Sequence, residues 1–250
     1  MPGKLKKPGA TVIAAVLAGI LTCAASWAQD RADPLTVPAP DYEALMAEAA
    51  WDWRPGDLIF RNGVNDIDEA IRRSLDLRWA SVGILRPSSG GPRVVFVDES
   101  EGVKEEMLYE HVAGLSHGDY AVYRARDLAA DYDPEEQMWP GPMARFSLFI
   151  AYGQPFDDQF LLGDGRFYNA ELAYQGLLNA GIVAGPPVQL GRLVSPPGQL
   201  EPQFRSLLEG HRYCRYELSF DDCWANNLQG QAIVTTGSLI SSGALERVYP

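Results

Sequence analysis

Apolar and polar positions divide the chain into two regimes. An uncharged apolar run from Thr11 to Leu21 comes first, followed by the small residues Ala24-Ala25-Ser26-Trp27-Ala28 and a Pro-rich linker. Further on, apolar positions arrive in short bursts. Leu58-Ile59-Phe60-Arg61, behind the turn Arg54-Pro55-Gly56-Asp57, reads as a buried strand, and further strands are predicted at Trp79–Leu85, Arg93–Glu99 and Tyr120–Arg126. Ser88-Ser89-Gly90-Gly91-Pro92 is a hairpin turn between two of them. Ile67, Ile71 and Leu75 recur four residues apart, giving a helix one apolar stripe; Asn65-Asp66 caps it, and Asp68 and Glu69 sit in its first turn. A second helix is predicted over Phe167–Ala180, stopped by Gly181, and shorter ones over 42–50, 105–112, 147–152 and 204–208. Gly153–Arg166 is a polar, Asp-rich loop, and 185–222 is proline-rich and loop-like. Ile233–Thr236 reads as a last strand, and Ser238–Gly243 as a final turn or short helix. No repeat appears, and no linker within 50–250 is polar enough to divide it. The expectation is one α+β domain over 51–250, behind a linker and short helix at 29–50.

Composition sharpens this in two ways. With 250 residues and 46% hydrophobic content the chain can fill a core, which excludes disorder for its bulk. The net charge of −12 argues against a nucleic-acid or anionic-membrane surface. Lys4, Lys6 and Lys7 ahead of the apolar run, and the small residues behind it, have the three-part layout of a secretory signal peptide over 1–28, with cleavage after Ala28. The run is short of the roughly 20 residues a membrane span needs. Cleavage removes three basic residues and no acidic ones, taking the net charge to −15. The mature chain is then expected to be periplasmic or secreted, without a transmembrane span. Lipid attachment at Cys23 is an alternative, although Thr22 before it is larger than a lipobox usually tolerates. In an oxidising compartment Cys214 and Cys223 are free to form a disulfide, against the alternative of two separate buried thiols.

Candidate chemistry is sparse. The chain has no P-loop, no dinucleotide-binding glycine fingerprint, no H-E-x-x-H and no G-x-S-x-G, and its cysteines form no paired zinc motif. No metal or cofactor is therefore expected. Of the three histidines, His117 reads as a solvated loop residue, and His111 sits late in a short helix, where a cation suits the helix dipole. The acidic stretch from Asp131 to Glu136 lacks the glycine and spacing of a calcium loop and reads as a solvated helix start.

Several segments, taken in order, carry a resemblance. They are Gly56-Asp57-Leu58-Ile59-Phe60, Trp79-Ala80-Ser81-Val82-Gly83-Ile84-Leu85, Phe96-Val97-Asp98-Glu99-Ser100-Glu101-Gly102-Val103 and Tyr120-Ala121-Val122-Tyr123-Arg124. Tyr152-Gly153-Gln154-Pro155-Phe156-Asp157, Arg166-Phe167-Tyr168-Asn169-Ala170-Glu171-Leu172 and Ile233-Val234-Thr235-Thr236-Gly237-Ser238-Leu239 follow. This order resembles the circularly permuted papain-like hydrolases of the NlpC/P60 superfamily, in the group typified by YiiX. The resemblance covers roughly 54–184 and 231–249, and leaves 185–230 as a Pro-rich insertion. It implies a small antiparallel sheet or half-barrel packed against helices. It also implies a catalytic histidine in S-H-[VIM]-G-I, an acid on the next strand, and a nucleophilic cysteine opening a helix in Y-C-[SA]-E-L. A helix N-terminus and an imidazolium both stabilise a thiolate, which the histidine then serves as proton shuttle.

The chain departs from the family at two of these three positions. Ser81 stands where the family has histidine and Asn169 where it has cysteine, whereas Glu99 keeps the acid. An amide is no nucleophile and a hydroxyl no base near neutral pH, so this resemblance implies an inactive site at Ser81, Glu99 and Asn169. Asn169 would then serve as the N-cap of its helix. Asp57, Trp79, Tyr168 and Glu171 are the expected cleft residues. Two functions follow. One is a silent domain that binds a peptidoglycan fragment, a peptide or an envelope protein. The other is an active amide or ester hydrolase with a rebuilt, non-cysteine site drawing on Ser81, Glu99, Asn169 and His117.

Overall fold

A computed structural model describes residues 51–130, 141–194 and 197–250. The expected signal peptide, the linker and helix at 29–50, and the acidic stretch from Asp131 to Glu136 lie outside the described residues. The centre is an antiparallel sheet of six strands in the order β4-β3-β2-β1-β5-β8. Its members are β1 (Leu58–Arg61), β2 (Ser81–Arg86), β3 (Arg93–Asp98), β4 (Gly102–Met107), β5 (Tyr120–Ala125) and β8 (Leu245–Tyr249). β1 is central, pairing Leu58 with Ile84 of β2 and with Tyr123 of β5.

Period-two alternation divides the strand side chains between two cores. Leu58, Phe60, Val82, Ile84, Val95 and Val97 belong to the larger one. It is completed by α1 (Asp66–Ser74), α3 (Arg126–Ala130), α4 (Pro142–Phe146) and α5 (Asn169–Asn179). Ile59, Leu85, Val94, Phe96, Tyr120 and Val122 form the smaller one with Leu108 and Val112, from and just after the short helix α2 (Leu108–His111). Gly176 lets α5 lie close on the sheet, since a Cβ there would sit 3.1 Å from Cδ1 of Ile84.

Four segments differ from the sequence expectation. Of the 105–112 segment expected to be a helical turn, residues 105–107 belong to β4, and only Leu108–His111 is helical. The charged side chains of β4 conceal a strand because it is an edge, where charge deters pairing with other chains. The helix expected at 147–152 begins earlier, as α4, and ends in one wide π turn, Ser147–Ala151. The Pro-rich 185–222 stretch is more ordered than a loop. It holds a two-residue strand β6 (Val188–Gln189) paired with β7 (Ala232–Ile233), and α6 (Leu190–Leu193), α7 (Pro202–Glu209) and the start of α8 (Phe220–Asn226). Pro202 sits in the first turn of α7, where its missing N–H is no loss. The strand expected at 233–236 is confined to β7, because Thr235 and Ser238 form a reciprocal cap that starts α9 (Thr236–Ser241). Cys214 and Cys223 form the disulfide. Among the described residues no helix is long and apolar enough to cross a membrane.

Candidate functional site

Five pieces of chain meet at one end of the sheet: the residues after β1, the first turn of α1, the start of β2, the end of β3 and the first residue of α5. At their junction lies Asp68. Its Oδ2 accepts three hydrogen bonds, from Ser81 Oγ at 2.5 Å, Asn169 Nδ2 at 2.6 Å and Asn65 Nδ2 at 2.9 Å. All four residues are buried. Burial pushes the Asp68 carboxyl up to about 6, against the pull of these three donors, and the charge of Glu99 adds to the rise.

Asn169 is held by the sheet rather than by its own helix. The β2–β3 ladder begins at Ile84 and Val95 and does not reach Val97. Asn169 occupies that gap: its Oδ1 accepts from Val97 N at 2.7 Å and its Nδ2 donates to Val97 O at 2.9 Å. The expected N-cap role is thereby corrected. Tyr168, in an extended conformation, is the N-cap residue, Asn169 is already helical, and no side chain caps this terminus. Two buried backbone groups of β3 are the stronger claim on an amide that can donate and accept at once.

The cluster thus contains one hydroxyl, one carboxylate and two amides, with no thiol and no imidazole. Every histidine is engaged elsewhere. His117 is exposed, with Nδ1 3.4 Å from Tyr249 Oη. His211 is buried, with Nε2 2.8 Å from the carbonyl of Gln159. His111 is buried beside Glu106 at 2.6 Å, and burial holds its ring below the usual histidine range. That replaces the expectation of a cation suited to the helix dipole, because the ring is buried against Phe96 at the end of a helix only four residues long.

The remaining expected site residues are distributed around the fold. Glu99 is exposed in the β3–β4 turn, where its Oε2 accepts from Ile67 N at 3.3 Å and its own N–H donates to Asn65 Oδ1 at 3.3 Å. It borders an open groove of about 630 Å³ whose walls include Ile67, Gly153, Phe156, Asp158 and Arg166. Asp57 is 1% exposed and grips Arg124 of β5 through two bonds of 2.7 and 2.8 Å, which braces the start of β1. Trp79 is buried and lines a different groove. Tyr168 is buried on Phe160, and its hydroxyl accepts from Val234 N. Glu171 is buried under the 157–165 loop, where it accepts from Gly163 N at 2.9 Å. The structure therefore brings Ser81 and Asn169 together, sets Glu99 at the rim, and places the other four outside the groove that Glu99 borders. Asp68 and Asn65 are the members of the cluster that sequence reasoning did not single out. An acid in a first helical turn already has an ordinary explanation in the helix dipole.

A six-stranded antiparallel sheet, with a helix start set against it beside residue 81, is an α+β fold like that of YiiX. A solved structure with this fold is the crystal structure of the metalloprotein YiiX from Escherichia coli O157:H7. It is 22% identical, covers 80% of this chain and 100% of its own, and superposes with a TM-score of 0.59. No family model matches the chain, and no curated protein matches it in sequence.

Proposed function

We propose that this chain is a catalytically silent protein of the permuted papain-like fold. In this reading it acts in the cell envelope by binding a peptidoglycan peptide, or a partner protein, in the groove bordered by Glu99. The observation that carries the reading is the Asp68 cluster. The positions that match the family's cysteine and histidine hold Asn169 and Ser81, and both side chains are committed to one buried carboxylate. The Asn169 side-chain nitrogen has its electron pair delocalised into the amide, so it is no useful nucleophile. Ser81 Oγ–H is spent on Asp68 Oδ2, which two amides also engage, and at 2% exposure the hydroxyl is closed off from any substrate lying in the groove. The disulfide between Cys214 and Cys223 is consistent with export.

YiiX is described as a metalloprotein. Among the described residues no group of three or more His, Cys, Asp or Glu side chains is placed to hold a metal ion, and Asp68 is surrounded by hydrogen-bond donors. No step through a metal is assigned.

The test is to incubate purified protein with peptide-amide and ester substrates and with serine- and cysteine-directed probes, and separately to titrate it with muropeptides. No turnover and no covalent adduct, together with saturable muropeptide binding that weakens on Glu99→Gln, is the expected result. Hydrolysis that disappears in Ser81→Ala or Asn169→Ala would overturn the proposal in favour of a rebuilt hydrolase.

A further inference from the structure

A second groove, of about 480 Å³, opens near the end of β1, the start of β2 and the loop before β5, with Arg61, Arg78, Trp79, Leu115, Gly118 and Asp119 among its walls. We propose that it binds an oxyanion, a phosphate or a carboxylate, between the guanidinium groups of Arg61 and Arg78. This site is independent of the reading of the Asp68 cluster.

Charge is the first argument. The chain is strongly acidic, and Arg72, Arg86, Arg93, Arg124 and Arg166, among others, each lie within 4 Å of a carboxylate. Arg61 and Arg78, which share this groove, have no such partner among the described residues. Glu106, the carboxylate whose field reaches Arg61, is bonded to His111 at 2.6 Å. Asp119, the acid in the groove wall, turns one oxygen back onto Ser116 N at 2.7 Å.

The second argument is preorganisation. Arg61 is half-buried and anchored through Nε to the carbonyl of Asn62 at 3.0 Å and through Nη1 to the carbonyl of His111. Its planar fork is thus fixed, and its other N–H groups have no acceptor among the described residues. The exposed guanidinium of Arg78 lies 4.9 Å from the centre of the Trp79 ring. Trp79 itself is 3% exposed, and its buried Nε1–H has no acceptor among the described residues. A wall carrying two guanidinium groups with no carboxylate within 4 Å is rich in donors, and an oxyanion supplies several acceptors on one small group.

The experiment follows the tryptophan indole N–H and arginine side-chain resonances by NMR. The full-length protein is titrated with inorganic phosphate, with the dipeptide Ala-Ala, and with Ala-Ala amide, which lacks the carboxylate. Saturable shifts at the Trp79 indole with phosphate or Ala-Ala are expected, but not with the amide. Binding should weaken about tenfold in Arg78→Gln and in Arg61→Lys, which keeps the charge and loses the fork, and fall with added salt. Arg205→Gln, at a paired surface arginine on α7, should leave it unchanged. Preference for phosphate identifies a phosphate ester as the natural ligand, and preference for the dipeptide a peptide carboxyl end. Absence of saturable binding by either anion, or binding untouched by both the Arg61 and Arg78 changes, would overturn the site. Because Arg78 is exposed, its variant keeps the test open if Arg61→Lys fails to fold.

Discussion

At the scale of single residues, Asp68 organises the candidate site. Asp68→Ala leaves Ser81 Oγ–H and the amides of Asn65 and Asn169 short of their common acceptor, so stability should fall by about 2–4 kcal/mol in urea unfolding. Asp68→Asn retains an acceptor oxygen and removes the buried charge, and should keep most of the stability. The two variants also separate packing from charge through pH. Because the folded carboxyl holds its proton up to about 6 and the unfolded one releases it near 3.8, the native state binds more protons in between. Stability contributed by this group therefore falls as pH rises through that window, by on the order of 3 kcal/mol, and Asp68→Asn should abolish that fall. Ser81 and Asn169 were legible by their place in ordered motifs. Asp68 was not, because its importance comes from residues 13 and 101 positions away.

At the scale of elements, strands with two buried neighbours announce themselves and edge strands do not. β1, β2, β3 and β5 are apolar runs because sheet and helices enclose them. β4 reads Gly-Val-Lys-Glu-Glu-Met, and β8 shows only Leu245 fully to the core, so neither alternates cleanly. What makes β4 possible is the turn before it. Asp98 accepts from Ser100 N at 2.8 Å and Glu101 N at 3.0 Å, and Gly102 takes a left-handed conformation with φ of 78°. These bonds help hold the Asp98 carboxyl down at about 2. A Cβ on Gly102 would lie 2.2 Å from the carbonyl oxygen of Gln154, across the groove wall. Gly102→Ala should therefore lower the thermal midpoint and cost about 2 kcal/mol or more, since both the backbone conformation and the backbone contact must give way. The same variant should weaken muropeptide binding, as the turn carries Glu99.

At the scale of the whole molecule, buried ionisable groups set an unusual pH profile. Burial raises Asp157 to about 6 and Glu171 to about 8, with neighbouring carboxylates adding to both. His111 and His211 are pushed the other way, so they cost stability only as pH falls below their unfolded value near 6.5. Between about pH 6.5 and 8 the Glu171 carboxyl is thus the dominant titrating group: protonated in the fold, ionised when unfolded. Global stability should drop by about 2 kcal/mol across that range. Chemical denaturation at a series of pH values checks this, and Glu171→Gln should flatten the profile there. A slope that persists in the variant would assign the effect elsewhere.

Periodicity, turn residues and motif order by themselves determined the α+β class, the central strands and the two long helices. Those properties are local, because strand and helix periods repeat within a few residues. Which acid Ser81 and Asn169 share, whether Asn169 caps its helix or closes a gap in the sheet, and which arginines find no carboxylate were decided only by the tertiary structure. Each depends on hydrogen-bonding groups brought together from distant parts of the chain, where burial and competition for partners outweigh local preference.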